Sequence, residues 1–125
     1  MKRKVYLVLI ASVLFLSSLV VVLGQKTGGY KEIAKDDEGA VAAAEFAVKD
    51  ESQKKELTYK LFSVEKAETQ VVAGINYRLC LKIGYHKQDD DVDTTEFVRV
   101  VVNRNLQKEY SLTSWTQENC GDENE

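Results

Sequence analysis

The sequence predicts an α+β domain in which one helix packs across a four- to five-stranded antiparallel sheet. Three observations carry this. An alanine-rich segment, Ala40-Val41-Ala42-Ala43-Ala44-Glu45-Phe46-Ala47-Val48-Lys49, is built from strong helix formers. From Leu57 onward the apolar period switches to two. The clearest of the later segments places Ile75, Tyr77, Leu79, Leu81, Ile83 and Tyr85 on one face and polar or small residues on the other. A strand with one buried and one wet face belongs in an antiparallel sheet.

The elements follow in order. Tyr30-Lys31-Glu32-Ile33, apolar at both ends, opens a short strand. Asp36 or Asp37 caps a helix beginning near Glu38, with Gly39 in its first turn. The charged run from Asp50 to Glu56 ends that helix, whose small-residue face lets it lie close to a sheet. Leu57, Tyr59 and Leu61 alternate with Thr58, Lys60 and Phe62, then the apolar phase slips near Phe62-Ser63-Val64. Such a slip marks a bulge in a strand that runs to about Thr69. Gln70 to Gly74 is a tight connection into the strand Ile75–Tyr85, and His86 to Thr95 is a polar loop. Glu96 to Asn103 forms the next strand, Asn103 to Lys108 a turn, and Tyr110 to Trp115 the last strand. The order is β-α-β-β-β-β.

With 125 residues the chain holds one domain. Residues 5–23 form a nearly unbroken apolar run behind Lys2, Arg3 and Lys4, and Val22 and Gly24 offer small residues before Gln25. This is the layout of a secretory signal peptide over 1–24, leaving 25–125 as the mature, secreted domain. An uncleaved anchor is the rival reading, because the run nearly reaches spanning length.

Losing the leader's three cations takes the formal net charge from −3 to −6. That balance excludes a phosphate-binding surface and with it a nucleic-acid partner. The acidic clusters at Asp36–Glu38, Asp89–Asp91 and Asp122–Glu125 lack calcium-loop spacing, so they read as solvated turns and a tail, with no metal and no cofactor implied. His86 is the only imidazole and sits in a charged stretch. No nucleophile–base set, Gly-x-Ser-x-Gly, zinc spacing or phosphate loop is present, so an enzyme is not expected.

Gln70-Val71-Val72-Ala73-Gly74 is unusual for a hairpin tip, where Asn, Asp and Gly are favoured. Two β-branched apolar residues there either finish the sheet edge or project as a wedge into a partner's cleft. This pentapeptide resembles the Q-x-V-x-G inhibitory loop of the cystatins, protein inhibitors of papain-like cysteine proteases. Gly28-Gly29 resembles their N-terminal glycine pair, and Ala44-Glu45-Phe46-Ala47-Val48 the helix signature of plant members. Gly74-Ile75-Asn76-Tyr77-Arg78-Leu79 and Leu112-Thr113-Ser114-Trp115 are similar to their third and final strands. The resemblance spans residues 28–116, in the family's order and spacing, and implies the cystatin-like fold.

It also implies a reversible, competitive, non-covalent inhibitor. Gly28, Gly29, Gln70, Val71, Val72, Ala73, Gly74, Asn105 and Leu106 would contact the protease. The implied partner is a papain-like cysteine protease met by a monomer, with no membrane contact after signal cleavage. A non-inhibitory secreted binding module on the same fold is the alternative. Two departures stand out. The family's Pro-Trp of the second hairpin falls on Asn105-Leu106, and only Gln25-Lys26-Thr27 precede the glycines after cleavage. Thr27 and Lys26 fill an apolar slot poorly, so the first loop is expected to carry most of the binding.

Cys80 and Cys120 are the only cysteines, and a secreted chain invites their pairing. Cys80 lies on the wet face of one strand and Cys120 beyond the last, two strand spacings or roughly 9.5 Å away. A bridge needs Cα atoms within about 7 Å, so pairing is not expected unless Thr116 to Asn119 curl back. No N-glycosylation sequon occurs.

Overall fold

A computed structural model describes residues 29–86 and 93–122. The leader over 1–24, the arm as far as Gly28, the Asp89–Asp91 cluster and the last three residues lie outside them.

The described elements are β1 (Lys31–Ile33), α1 (Glu38–Lys55), β2 (Tyr59–Val72), β3 (Gly74–His86), β4 (Asp93–Arg104) and β5 (Tyr110–Gln117), followed by a 3-10 turn at Cys120–Asp122. The five strands form one sheet in the order β1-β2-β3-β4-β5, every neighbour antiparallel. The expected meander with one helix is what the chain forms.

Asp37 caps α1, its carboxylate accepting from the Ala40 amide at 3.1 Å. Ala40, Ala43, Ala44, Ala47, Val48 and Glu51 are the buried face. Their spacing is one helical stripe, and methyl-sized side chains bring the helix close to the strands. The charged run does not stop the helix at its start but lengthens it to Lys55, aided by the Lys54–Asp50 ion pair at 2.7 Å one turn apart. Glu56, with φ 54, then turns the chain in a left-handed cap whose amide donates to the Ser52 carbonyl. The Ser52 hydroxyl accepts from the Tyr59 amide at 3.1 Å, tying the helix end to the start of β2.

Under the helix lie Leu79, Leu81 and Ile83 of β3 and Val98, Val100 and Val102 of β4, all fully buried. Each contributes roughly 1.5–3 kcal/mol by leaving water. Register shifts between Leu61 and Ser63 and between Val64 and Lys66 are the expected bulge, doubled. They bend β2 so that the sheet curves around α1.

The other face of the sheet is not uniformly wet, which corrects the sequence reading. Gly84 is covered by the Phe62 ring, which a side chain at Gly84 would strike. Cys80 is buried because it is bonded to Cys120, with Cα atoms 5.8 Å apart. The expectation against this bridge fails for a definite reason. Glu118 still donates to the Phe97 carbonyl at 3.2 Å, but the chain then turns, and Cys120–Asp122 fold back over β3 and β4. The tail crosses a strand instead of lying beside one, so strand spacing does not set the distance.

Candidate protease-binding edge

The two hairpins β2–β3 and β4–β5 end on the same edge of the sheet. Pairing in the first runs to Val72↔Gly74, so Ala73 alone makes the bend. A hairpin this tight thrusts its strand ends outward, leaving Val71 76% and Val72 38% exposed. In the second, Asn105 organises the turn. Its side-chain Oδ1 accepts from the Gln107 and Glu109 amides at 3.0 and 2.9 Å, and its own amide donates to the Glu109 carbonyl at 2.9 Å. Asn105 is thus held in the turn, and Leu106, 74% exposed, is the tip. Between the hairpins runs a groove of about 320 Å³ lined by Val71, Val72, Gly74, Arg104, Asn105 and Leu106.

Gly74 joins the two hairpins. Its φ of +108° is open to glycine and strained for other residues. A Cβ there would also collide with the Arg104 carbonyl oxygen and the Asn105 backbone. The residue serves conformation and close approach together.

Behind the groove, side-chain amides link three strands. The Asn103 amide donates to Asn76 at 2.8 Å, and the Asn76 amide donates to Gln70 at 3.2 Å. Gln70, Asn76 and Asn103 share the outer face in register. Gln70 is therefore a rung that sets the angle between the hairpins, while Val71, Val72 and Ala73 form the exposed tip.

The third sequence-predicted part is reached only at its root. Gly29 is exposed, and Gly28 lies outside the described residues. Tyr30, next to Gly29, lies under the Arg78 guanidinium, 4.0 Å from the ring centroid. Arg78 in turn makes a two-pronged contact with Glu68 at 3.1 and 2.9 Å. The hydrogen bonds from Arg78 hold the Glu68 carboxyl below its ordinary value, and the same contact raises Arg78. Sequence reasoning placed Asn76 and Arg78 on the wet face but could not name their partners.

The sign of the Glu68 effect gives a prediction. A carboxyl lowered in the fold stabilises it above the ordinary value of 4.5, and that stability is lost as pH falls through the lowered value. Glu68→Gln removes this contribution, so its urea midpoint should drop less than the parent's between pH 7 and pH 3. Parallel curves for the two proteins would show that the pair is energetically silent.

His86 is exposed, facing Asp93 at 3.3 Å, and no metal-ligating cluster occurs among the described residues.

Comparison with known proteins agrees with this geometry. A family model described as "SQAPI: Aspartic acid proteinase inhibitor" matches residues 30–118. Cysteine proteinase inhibitor 5 of Arabidopsis thaliana is 32% identical over 120 residues, 95% of this chain and 95% of that protein. The chain belongs to the cystatin family. L-cystatin of Tachypleus tridentatus is 38% identical over 64 residues, half of this chain and 48% of its own. Among solved structures, the salivary cystatin of the soft tick Ornithodoros moubata aligns with TM-score 0.61 at 22% identity, covering 74% of this chain and 99% of that one. Dimeric human cystatin F aligns with TM-score 0.65 at 18% identity, covering 75% and 89%. These two likenesses speak for the fold. The named relatives of this cystatin-family chain are proteinase inhibitors and cystatins, and the chain is not an enzyme.

Proposed function

We propose that the chain is a secreted, reversible, competitive inhibitor of papain-like cysteine proteases that plugs the active-site cleft without offering a bond to the thiolate. The observation that carries this reading is the shared edge. Val71, Val72 and Leu106 are exposed apolar side chains on two hairpins locked together at Gly74, flanking one groove. Exposed apolar tips on a rigid frame lose little conformational entropy on docking. The Gly28-Gly29 arm, rooted at Tyr30, would add a third contact.

Family membership supports an inhibitor but leaves the protease class open. The match to a model described as an aspartic acid proteinase inhibitor favours a second reading, in which the same edge meets an aspartic protease. Titrating residues 25–125 against papain and pepsin side by side separates the two. Loss of papain activity alone supports the first reading, loss of pepsin activity alone the second. Indifference of both would favour a non-inhibitory binding module.

Leu106 stands where the family carries an indole. Leu106→Trp should tighten papain inhibition by about 1 kcal/mol, a little under tenfold, mostly through slower dissociation. Leu106→Ala should weaken it by a similar or smaller factor. If both variants match the parent, the second hairpin does not reach the protease.

Secretion with leader removal ahead of Gln25 completes the proposal. N-terminal sequencing of the exported protein should begin at or near Gln25. Met1 retained on membrane-bound protein would contradict it.

A further inference from the structure

At the far end of β2 from the hairpin edge, a strand length of 14 residues away, or roughly 40 Å, is a cleft of another character. Its volume is about 480 Å³. Three aromatic rings line it. Tyr59 meets Tyr85 edge-on at 5.6 Å between centroids and meets Trp115 at 5.4 Å. Two carboxylates, Glu51 and Glu96, and one cation, Lys55, line it as well.

Glu51 is the telling residue. Among the described residues it is the one charged side chain in the buried set, 6% exposed, on the helix face turned to the sheet. Its carboxylate takes part in no hydrogen bond or ion pair among the described residues, whereas Lys54 beside it is paired with Asp50. A buried carboxylate without a partner is costly. Yet no side-chain oxygen among the described residues is sealed away unpartnered. The Glu51 oxygens therefore face open space, and the open space that Glu51 lines is this cleft. The helix C-terminus adds its negative dipole end in the same place. At Tyr59, burial first and then the fields of Glu96 and Glu51 raise the phenol above its ordinary value, so both carboxylates are felt at the aromatic wall.

We propose that this cleft is a second binding site, for a small organic cation: an alkyl ammonium or guanidinium whose charge meets Glu51 and whose stem lies against Tyr59, Tyr85 and Trp115. Aromatic faces and a half-enclosed carboxylate whose oxygens open into the cleft both favour a cation, and neither suits an anion or a neutral polar ligand. Lys55 is exposed at the rim, so it lowers the attraction for a cation without filling the site. The site is independent of protease inhibition, since it shares no residue with the hairpin edge.

Trp115 is the only tryptophan in the chain, so its fluorescence reports this cleft alone. Titration of residues 25–125 with butylguanidinium and with butylammonium should give a saturable change, and butanol should give none. A capped tripeptide with a central arginine is the second arm. Binding of the free cation in preference to the peptide is the expected result, and preference for the peptide would overturn the small-ligand assignment. Glu51→Gln should weaken binding at least tenfold, and Lys55→Met should tighten it. Inhibition of whichever protease the parent inhibits should be unchanged in both variants, with circular dichroism confirming the fold. No saturable change with either cation, or equal binding by the parent and Glu51→Gln, would overturn the proposal.

Discussion

Replacing Val71 and Val72 together by Asp should abolish inhibition of papain and leave the fold in place. Both side chains are exposed, so the substitution puts charge into solvent in the free protein, where surface changes shift stability by roughly 0.5 kcal/mol or less. In the complex the same carboxylates would be pressed into a cleft with no partner. Losing two central apolar anchors and burying two charges should cost about 4 kcal/mol or more, a thousandfold in inhibition constant. Enzyme titration with circular dichroism on the same samples checks both halves. Gly74→Arg is a poorer probe of the same edge. At φ +108°, against the Arg104 carbonyl, any side chain displaces the second hairpin as well as blocking the first.

The Cys80–Cys120 bridge should be the largest single contributor to stability. It closes a loop with a sequence separation of 40, for which chain-entropy arithmetic gives about 4 kcal/mol. In a domain of this size that is a fall of roughly 15–25 °C in melting temperature. The double variant Cys80→Ser, Cys120→Ser should show this fall, and so should the reduced parent. Because the bridge lies on the outer face and the hairpin tips carry none of its atoms, papain inhibition well below the new midpoint should survive. Equal melting temperatures with and without reductant would show that the bridge contributes no stability.

What the sequence disclosed, and what it withheld, follows from range. Helix α1 was legible because Asp37, the alanines and the charged end act within a few residues of one another. The core face of β3 was legible because period two is a local pattern. The tip residues Val71, Val72 and Leu106 stood out as apolar side chains where turns are polar. The bridge was misjudged because Cys120 reaches Cys80 through a turn after β5 that depends on contacts with β3 and β4, and no periodicity announces it. Gln70 stood out only as part of the loop motif, and Asn76 and Asn103 were ordinary polar residues, until folding brought Asn103 across 27 positions to Asn76 and Asn76 to Gln70. Arg78 over Tyr30 is of the same kind. The exposed apolar tips were visible, and the frame that holds them was not.

Two hairpins that meet at Gly74 present one apolar edge, and the proposed function has that edge occupy a papain-like cleft. The decisive measurement is titration of a papain solution of known active-site thiol concentration with residues 25–125. Activity should fall one-to-one with added chain, in competition with substrate, and the chain should be recovered uncut after dissociation. Full papain activity at tens of micromolar chain, or cleavage of the chain at Gln70–Gly74, would contradict the proposed function.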